Sequence, residues 1–144
     1  MAIKLYETPS PDNPYSQDGA MTNPVRQAFN GRTGGTLEKR LYIRNDNSGY
    51  TYSDIQITPI DNTGKDYADG TNGYSWKLYD GYSQPSEAAW GTVTAGDSIL
   101  LASGLSNIAT YYPFWLRIDI PAGAEVESID DIDLRISCTE TLVP

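Results

Sequence analysis

Histidine is absent from this sequence, and cysteine occurs once, at Cys138. Those two facts remove most of the ways in which side chains move protons or hold metals near neutral pH. Ser-His-Asp and Cys-His nucleophiles, histidine general bases and the common catalytic zinc sites all need an imidazole. A single thiol builds neither a disulfide within the chain nor a cysteine-based zinc site. Carboxylate chemistry remains, because the chain carries 19 Asp and Glu. Glycoside hydrolysis needs only two carboxylates at a set separation, but in so acidic a chain some pair meets that distance by chance and no motif selects one. Calcium takes about six to eight oxygen ligands, and Asn45-Asp46-Asn47, Asp61 to Asp69, and Asp130-Asp131 with Asp133 offer oxygens. None follows the helix-flanked D-x-[DN]-x-[DN]-G pattern, and Asn and Asp suit turns for backbone reasons alone. Gly31-Arg32-Thr33-Gly34-Gly35 is glycine-rich but lacks the G-K-[ST] ending and the following helix of a phosphate loop. No catalytic, cofactor-binding or metal-ligating residue is therefore assigned. The expectation is a protein that is not an enzyme and uses no cofactor.

Aromatic side chains are the remaining chemistry, with 11 Tyr, 3 Trp and 2 Phe. Tyr42, Tyr79 and Trp115 fall on strand faces opposite the apolar ones, whereas Trp76 and Phe114 fall on apolar faces. Outward Tyr and Trp offer large contact area at low entropic cost, so they serve protein interfaces and sugar-stacking platforms alike. The net charge of -9 argues against nucleic acid, whose affinity comes from clustered Lys and Arg. The same charge also serves to keep a protein soluble and apart from its copies. At the N-terminus, Met1 to Glu7 lacks the apolar run of a secretory signal, and no window approaches the roughly 18 apolar residues of a membrane span. Synthesis in the cytoplasm without membrane insertion is expected.

Alternation with a period of two is what would position these groups. Phe114, Leu116, Ile118 and Ile120 share one face against Trp115, Arg117 and Asp119. Ile132, Leu134, Ile136 and Cys138 share another against Asp133, Arg135 and Ser137, which makes Cys138 a small buried hydrophobe. Leu37, Leu41 and Ile43 alternate with Glu38, Arg40, Tyr42 and Arg44, and Asn45-Asp46-Asn47-Ser48-Gly49 then supplies a turn. The pattern predicts a hairpin whose return strand carries Ile55 and Ile57 and stops at Pro59. Further strands are predicted at Ile3 to Glu7, around Trp76 and Leu78, at Trp90 to Val93 and at Ser98 to Leu101; the best helical stretch is Ser86 to Trp90. About seven or eight short strands separated by turns predict an all-β fold: an antiparallel two-sheet sandwich, immunoglobulin-like or jelly-roll. One domain is expected over 1–144, with an N-terminal strand and arm over 1–35 and the sandwich over 36–144.

The arm is set apart by Pro9, Pro11, Pro14 and Pro24 among Asn, Asp, Ser and Gly. Prolines stiffen such a segment and lower the entropy lost on ordering it. It suits either an extended arm lying on a neighbour or a long loop covering one end of its own sandwich. Pro9, Pro11, Pro14, Tyr15, Pro24, Tyr42, Tyr79 and Trp115 are the candidate interface residues.

Several stretches carry a resemblance: the opening Met-Ala-Ile-Lys-Leu-Tyr, Asn23-Pro24-Val25, Gly34 through Asp46, and Phe114 through Gly123. Together they resemble small immunoglobulin-like structural proteins of tailed-bacteriophage virions. The resemblance is diffuse over most of the chain and marks strands and turns. It implies a non-enzymatic virion component, most specifically a capsid decoration (cement) protein. Its partners would be other virion proteins and copies of itself within an assembly, with no nucleic acid and no membrane. Modest contacts repeated around a shell would add up to large stabilisation. A neck or tail protein, or a carbohydrate-binding module using Trp and Tyr platforms, is the alternative.

Overall fold

Apolar residues at alternate positions become strands that bury one face, and two such faces closed against each other form the core. The computed structural model describes residues 3–6, 33–46, 48–61, 73–106, 110–123 and 132–143. The candidate arm residues Pro9, Pro11, Pro14, Tyr15 and Pro24 lie outside them. Strands β1 (Ile3–Tyr6), β2 (Gly35–Asn45), β6 (Tyr111–Ile120) and β4 (Ser75–Asp80) form one sheet in the order β1-β2-β6-β4. Strands β5 (Ile99–Leu100), β3 (Tyr50–Asp61) and β7 (Ile132–Leu142) form the other in the order β5-β3-β7. All pairings between these strands are antiparallel. Among the described residues a single short helix, α1 (Glu87–Trp90), lies between β4 and β5. The all-β, sandwich-like architecture is the one the alternation implies.

Leu41, Ile43, Leu78, Phe114, Leu116 and Ile118 from the four-stranded sheet meet Tyr52, Ile55 and Ile57 from the three-stranded one. Burying each such aliphatic or aromatic side chain contributes about 1.5–3 kcal/mol. Leu134, Ile136 and Cys138 pack against this core from β7 and are half-buried. Burial raises the Cys138 thiol pKa, so the sulfur stays protonated and behaves as a small hydrophobe. A polar tie crosses between the sheets where the Ala102 N–H donates to Asp80 Oδ2 at 3.1 Å. Burial, and then a hydrogen bond to Asp80, raises the Tyr112 hydroxyl pKa beside it.

Three expectations are corrected. First, β2 and β3 do not form a hairpin: the turn after Asn45 carries the chain from one sheet to the other. The reason is Asn45 itself, which is fully buried. Its Nδ2 donates to Tyr50 O at 2.9 Å and its backbone N–H to Thr110 O at 3.0 Å. The corner is thus held by inward-facing polar bonds rather than by a ladder between β2 and β3. Second, β3 continues past Pro59 to Asp61. Strand β5 pairs only with Gln56 and Ile57, so at Pro59 the ladder runs on the β7 side alone, where a proline is tolerated. Third, Trp90 to Val93 is not a strand. Ser86 caps α1 by accepting the Ala89 N–H at 3.2 Å, and the N–H groups of Thr92 and Val93 close back on Ala89 O and Trp90 O. Those donors are engaged in a turn and have none left for a ladder.

The looser alternation in β3 has a local cause. Ser53 pairs with Thr139 but Gln56 with Ser137, so one extra residue bulges out. Asp54 sits there at φ 50, the only non-glycine residue with positive φ among the described residues. The bulge reverses the inward parity, so that Tyr52 and Ile55 both face the core. On its other side Tyr52 exchanges backbone hydrogen bonds with Leu105 at 2.9 and 2.8 Å. Gly104 precedes that bridge, and a Cβ there would collide with Tyr52 O.

Two substitutions probe this packing. Phe114→Ala should lower unfolding free energy by about 3–5 kcal/mol. Gly104→Ala should destabilise the chain by displacing Leu105 from Tyr52. Urea unfolding followed by fluorescence reads both, and a midpoint unchanged in either variant would contradict the described contacts.

Candidate functional site

The register that buries one face of the four-stranded sheet also composes the other. Directly opposed residues on adjacent strands share a side, so the outer face reads in rows. Tyr6, Tyr42 and Pro113 lie across β1, β2 and β6. The next row is Arg40, Trp115 and Tyr79, the next Glu38, Arg117 and Lys77, and the last Thr36, Asp119 and Ser75. Tyr42, Tyr79 and Trp115, singled out in the sequence, are thus brought together on this one face.

One end of the face is a closed polar network under the segment that carries α1. Arg117 Nη1 meets Glu87 Oε1 at 2.9 Å and Arg117 Nε meets Asp119 Oδ2 at 3.2 Å. Asp119 also accepts from Thr36 at 2.5 Å and from Ser75 at 3.2 Å. The hydrogen bond to Glu87 and the pairing with Asp119 raise the Arg117 pKa. Glu38 accepts from Trp90 Nε1 and, at 3.3 Å, from Gln84 Nε2. The Trp90 ring is buried, edge-on to Tyr79 at 5.8 Å, with the Arg117 guanidinium 6.0 Å from its centroid. Lys77 donates to Trp90 O at 3.3 Å. These contacts pin the α1 segment to the sheet and engage every charge of the network.

The other end is aromatic. The Arg40 guanidinium lies 5.5 Å from the centroid of Tyr42 and 5.9 Å from that of Trp115, within cation–π range of both. Tyr42 meets Tyr111 edge-on at 5.7 Å. Trp115 Nε1 donates to Tyr82 O at 3.3 Å. A hydrogen bond between the Tyr82 and Tyr111 side chains raises the Tyr82 pKa. Exposure is uneven: Tyr42 is 7% exposed, whereas Tyr111 is 43% and Tyr82 63% exposed. The accessible contact area therefore belongs to Tyr82, Tyr111, Arg40 and the half-buried Trp115 and Tyr79.

Beside this end, Tyr6 donates to Asp46, which also holds Arg44 Nε at 2.6 Å. This link ties β1 to the corner after β2. Among the candidate calcium positions, Asp46 is thus engaged by Tyr6 and Arg44, while the side chains of Asp61 to Asp69 and of Asp130, Asp131 and Asp133 lie outside the description. Among the described residues no group of three or more acidic or cysteine side chains is placed to hold a metal ion. No helix among them is long and apolar enough to cross a membrane.

No known protein family matches this chain. Neither a curated protein nor a solved structure matches it.

Arg40, Tyr82, Tyr111 and Trp90 were not singled out in the sequence. Arg40 was legible in principle, alternating with Tyr42 on the non-apolar side of β2. Tyr82 sits in the irregular segment after β4 and Trp90 at the end of the one-turn helix α1, where no period points to them.

Burial, and then the hydrogen bond to Asp46, raises the Tyr6 pKa far above the usual tyrosine value. The folded chain therefore keeps this proton at pH values where the unfolded chain loses it. Stability from this group is fully present below about pH 10 and falls above it, by up to about 1.4 kcal/mol per pH unit. Tyr6→Phe should be less stable than the parent at pH 8 and lose less stability between pH 8 and 11. Equal losses in both proteins, read by urea unfolding, would contradict the Tyr6–Asp46 link.

Proposed function

We propose that this chain is a non-enzymatic assembly protein of a tailed-bacteriophage virion, working as a decoration protein that stabilises the particle through protein–protein contacts. The observation that carries the assembly reading is the outer face of the β1-β2-β6-β4 sheet. Its described carboxylates, Glu38, Glu87, Asp119 and Asp46, are engaged in internal pairs and hydrogen bonds. Tyr82 and Tyr111 stand out to solvent beside Arg40 and Trp115. Tyr, Trp and Arg are the residues that dominate protein interfaces energetically. The placement in a virion rests on the resemblance of the strand and turn stretches to phage structural proteins. Within a virion, the neck or tail is the second location.

The geometry at Trp115 favours a protein partner over a sugar. A sugar-stacking platform needs an open ring face, and Arg40 lies over the indole while its N–H is bonded to Tyr82 O.

The test is to add the purified chain to phage particles lacking it and measure co-sedimentation. Binding at a fixed number of copies per particle is expected. Tyr82→Ala with Tyr111→Ala should weaken it at least about 30-fold, the effect of losing one hot-spot side chain worth about 2 kcal/mol, while far-UV circular dichroism stays unchanged. No association with particles of any composition would overturn the virion reading.

A further inference from the structure

We infer that Arg40 is the anchor of this face, a guanidinium held ready to receive one carboxylate from a partner polypeptide. The inference rests on the face being a protein contact surface and does not depend on its place in a virion. Its basis is an imbalance among the outward cations. Arg44 is paired with Asp46, Arg117 with Glu87 and Asp119, and Lys77 donates to Trp90 O. Among the cations of this face whose side chains are described, Arg40 is the one whose contacts are aromatic rings, with no carboxylate or carbonyl acceptor. It is also exposed.

Ring contacts leave the guanidinium's hydrogen-bonding edge unsatisfied by protein, because cation–π attraction acts through its plane and charge. That edge is a planar fork matched to the two oxygens of a carboxylate. Holding it between Tyr42 and Trp115 lowers the side-chain entropy lost when the fork closes on an anion. Two exposed tyrosines stand nearby: Tyr111 lies edge-on to Tyr42, and the carbonyl of Tyr82 accepts the Trp115 indole N–H. Each tyrosine carries an O–H that can donate to an incoming acceptor.

Charge complementarity selects the occupant. The whole chain carries -9, so a polyanion such as nucleic acid is repelled by the surrounding field while gaining one cation. An isolated Asp, Glu or terminal carboxylate on an otherwise neutral or basic protein surface meets Arg40 without that repulsion. An acidic sugar presents the same group but lacks an open indole face on which to stack.

The experiment uses the full chain labelled with nitrogen-15, following the Arg40 Nε–H and Trp115 Nε1–H resonances. The probes are the N-acetylated, C-amidated peptide Gly-Leu-Glu-Leu-Lys, its counterpart with Gln in place of Glu, and 3′-sialyllactose. Saturable shifts of both resonances with the Glu peptide are expected, with at least tenfold weaker binding of the Gln peptide. Arg40→Gln should abolish the response, and Arg40→Lys, which keeps the charge without the fork, should weaken it several-fold. Both variants should stay folded, with Arg40→Gln unfolding at a slightly lower urea midpoint because it loses the ring contacts to Tyr42 and Trp115. Equal responses to both peptides, no response to either, or a response to sialyllactose alone would overturn the inference. Shifts that appear on concentrating the chain without peptide would assign the site to a second copy and overturn it also. Glu-selective binding by a chain that never joins particles would leave Arg40 as the anchor and remove only the virion reading. Particle binding without Glu selectivity would do the reverse.

Discussion

Leu41 lies opposite Phe114 and Arg40 lies opposite Trp115: the pairing of β2 with β6 decides at once what is buried and what is presented. Because side chains alternate strictly, a slip of one residue would send Leu41 and Ile43 to solvent and drive Arg40 and Tyr42 inward. Placing a guanidinium in the core without a partner is prohibitive. The hydrophobic contacts across the sandwich therefore enforce the composition of the outer face, and the outer face penalises any other register. The strand-borne features of the candidate site on β2 and β6 follow from that shared constraint.

The two ends of the outer face use the same residue types to different effect. Under α1, arginine meets carboxylates and the network closes on itself, so charge there serves to hold the loop. Exposed ion pairs of this kind are each worth little, and the anchoring strength comes from burying Trp90 and satisfying its indole N–H at Glu38. Toward Tyr111, arginine meets rings, tyrosines are uncovered, and the chemistry is left open to something outside the chain.

Much of the fold was legible in the sequence because period-two alternation survives wherever a strand is straight. Phe114, Leu116, Ile118 and Ile120 face inward as the pattern implies, as do Leu134, Ile136 and Cys138. Misreadings came from places where a non-local contact decides. Asn45-Asp46-Asn47-Ser48-Gly49 has turn chemistry of the kind that makes a hairpin, but the sheet that receives the next strand is set by buried Asn45 holding Tyr50 O. Trp90 to Val93 is too short an apolar run for its period to be read, and a helix cap outcompetes it. The Asp54 bulge shifts parity in mid-strand, which no alternation count can reveal without the partner strand. The candidate site was half legible for the same reason. Tyr42, Tyr79 and Trp115 were visible as outward strand residues, whereas Tyr82 reaches the site from an irregular segment and the covering of Tyr42 depends on Arg40 and Tyr111.

The central claim is that the outward face of the β1-β2-β6-β4 sheet, at its aromatic end, is where this protein touches another. Hydroxyl-radical footprinting of the chain, free and within its native assembly, tests it most directly. Tyr82 and Tyr111 should be modified in the free chain and protected in the assembly, with Ile60 and Leu142 on the three-stranded sheet unchanged. Protection confined to the three-stranded sheet, with Tyr82 and Tyr111 modified equally in both states, would contradict it.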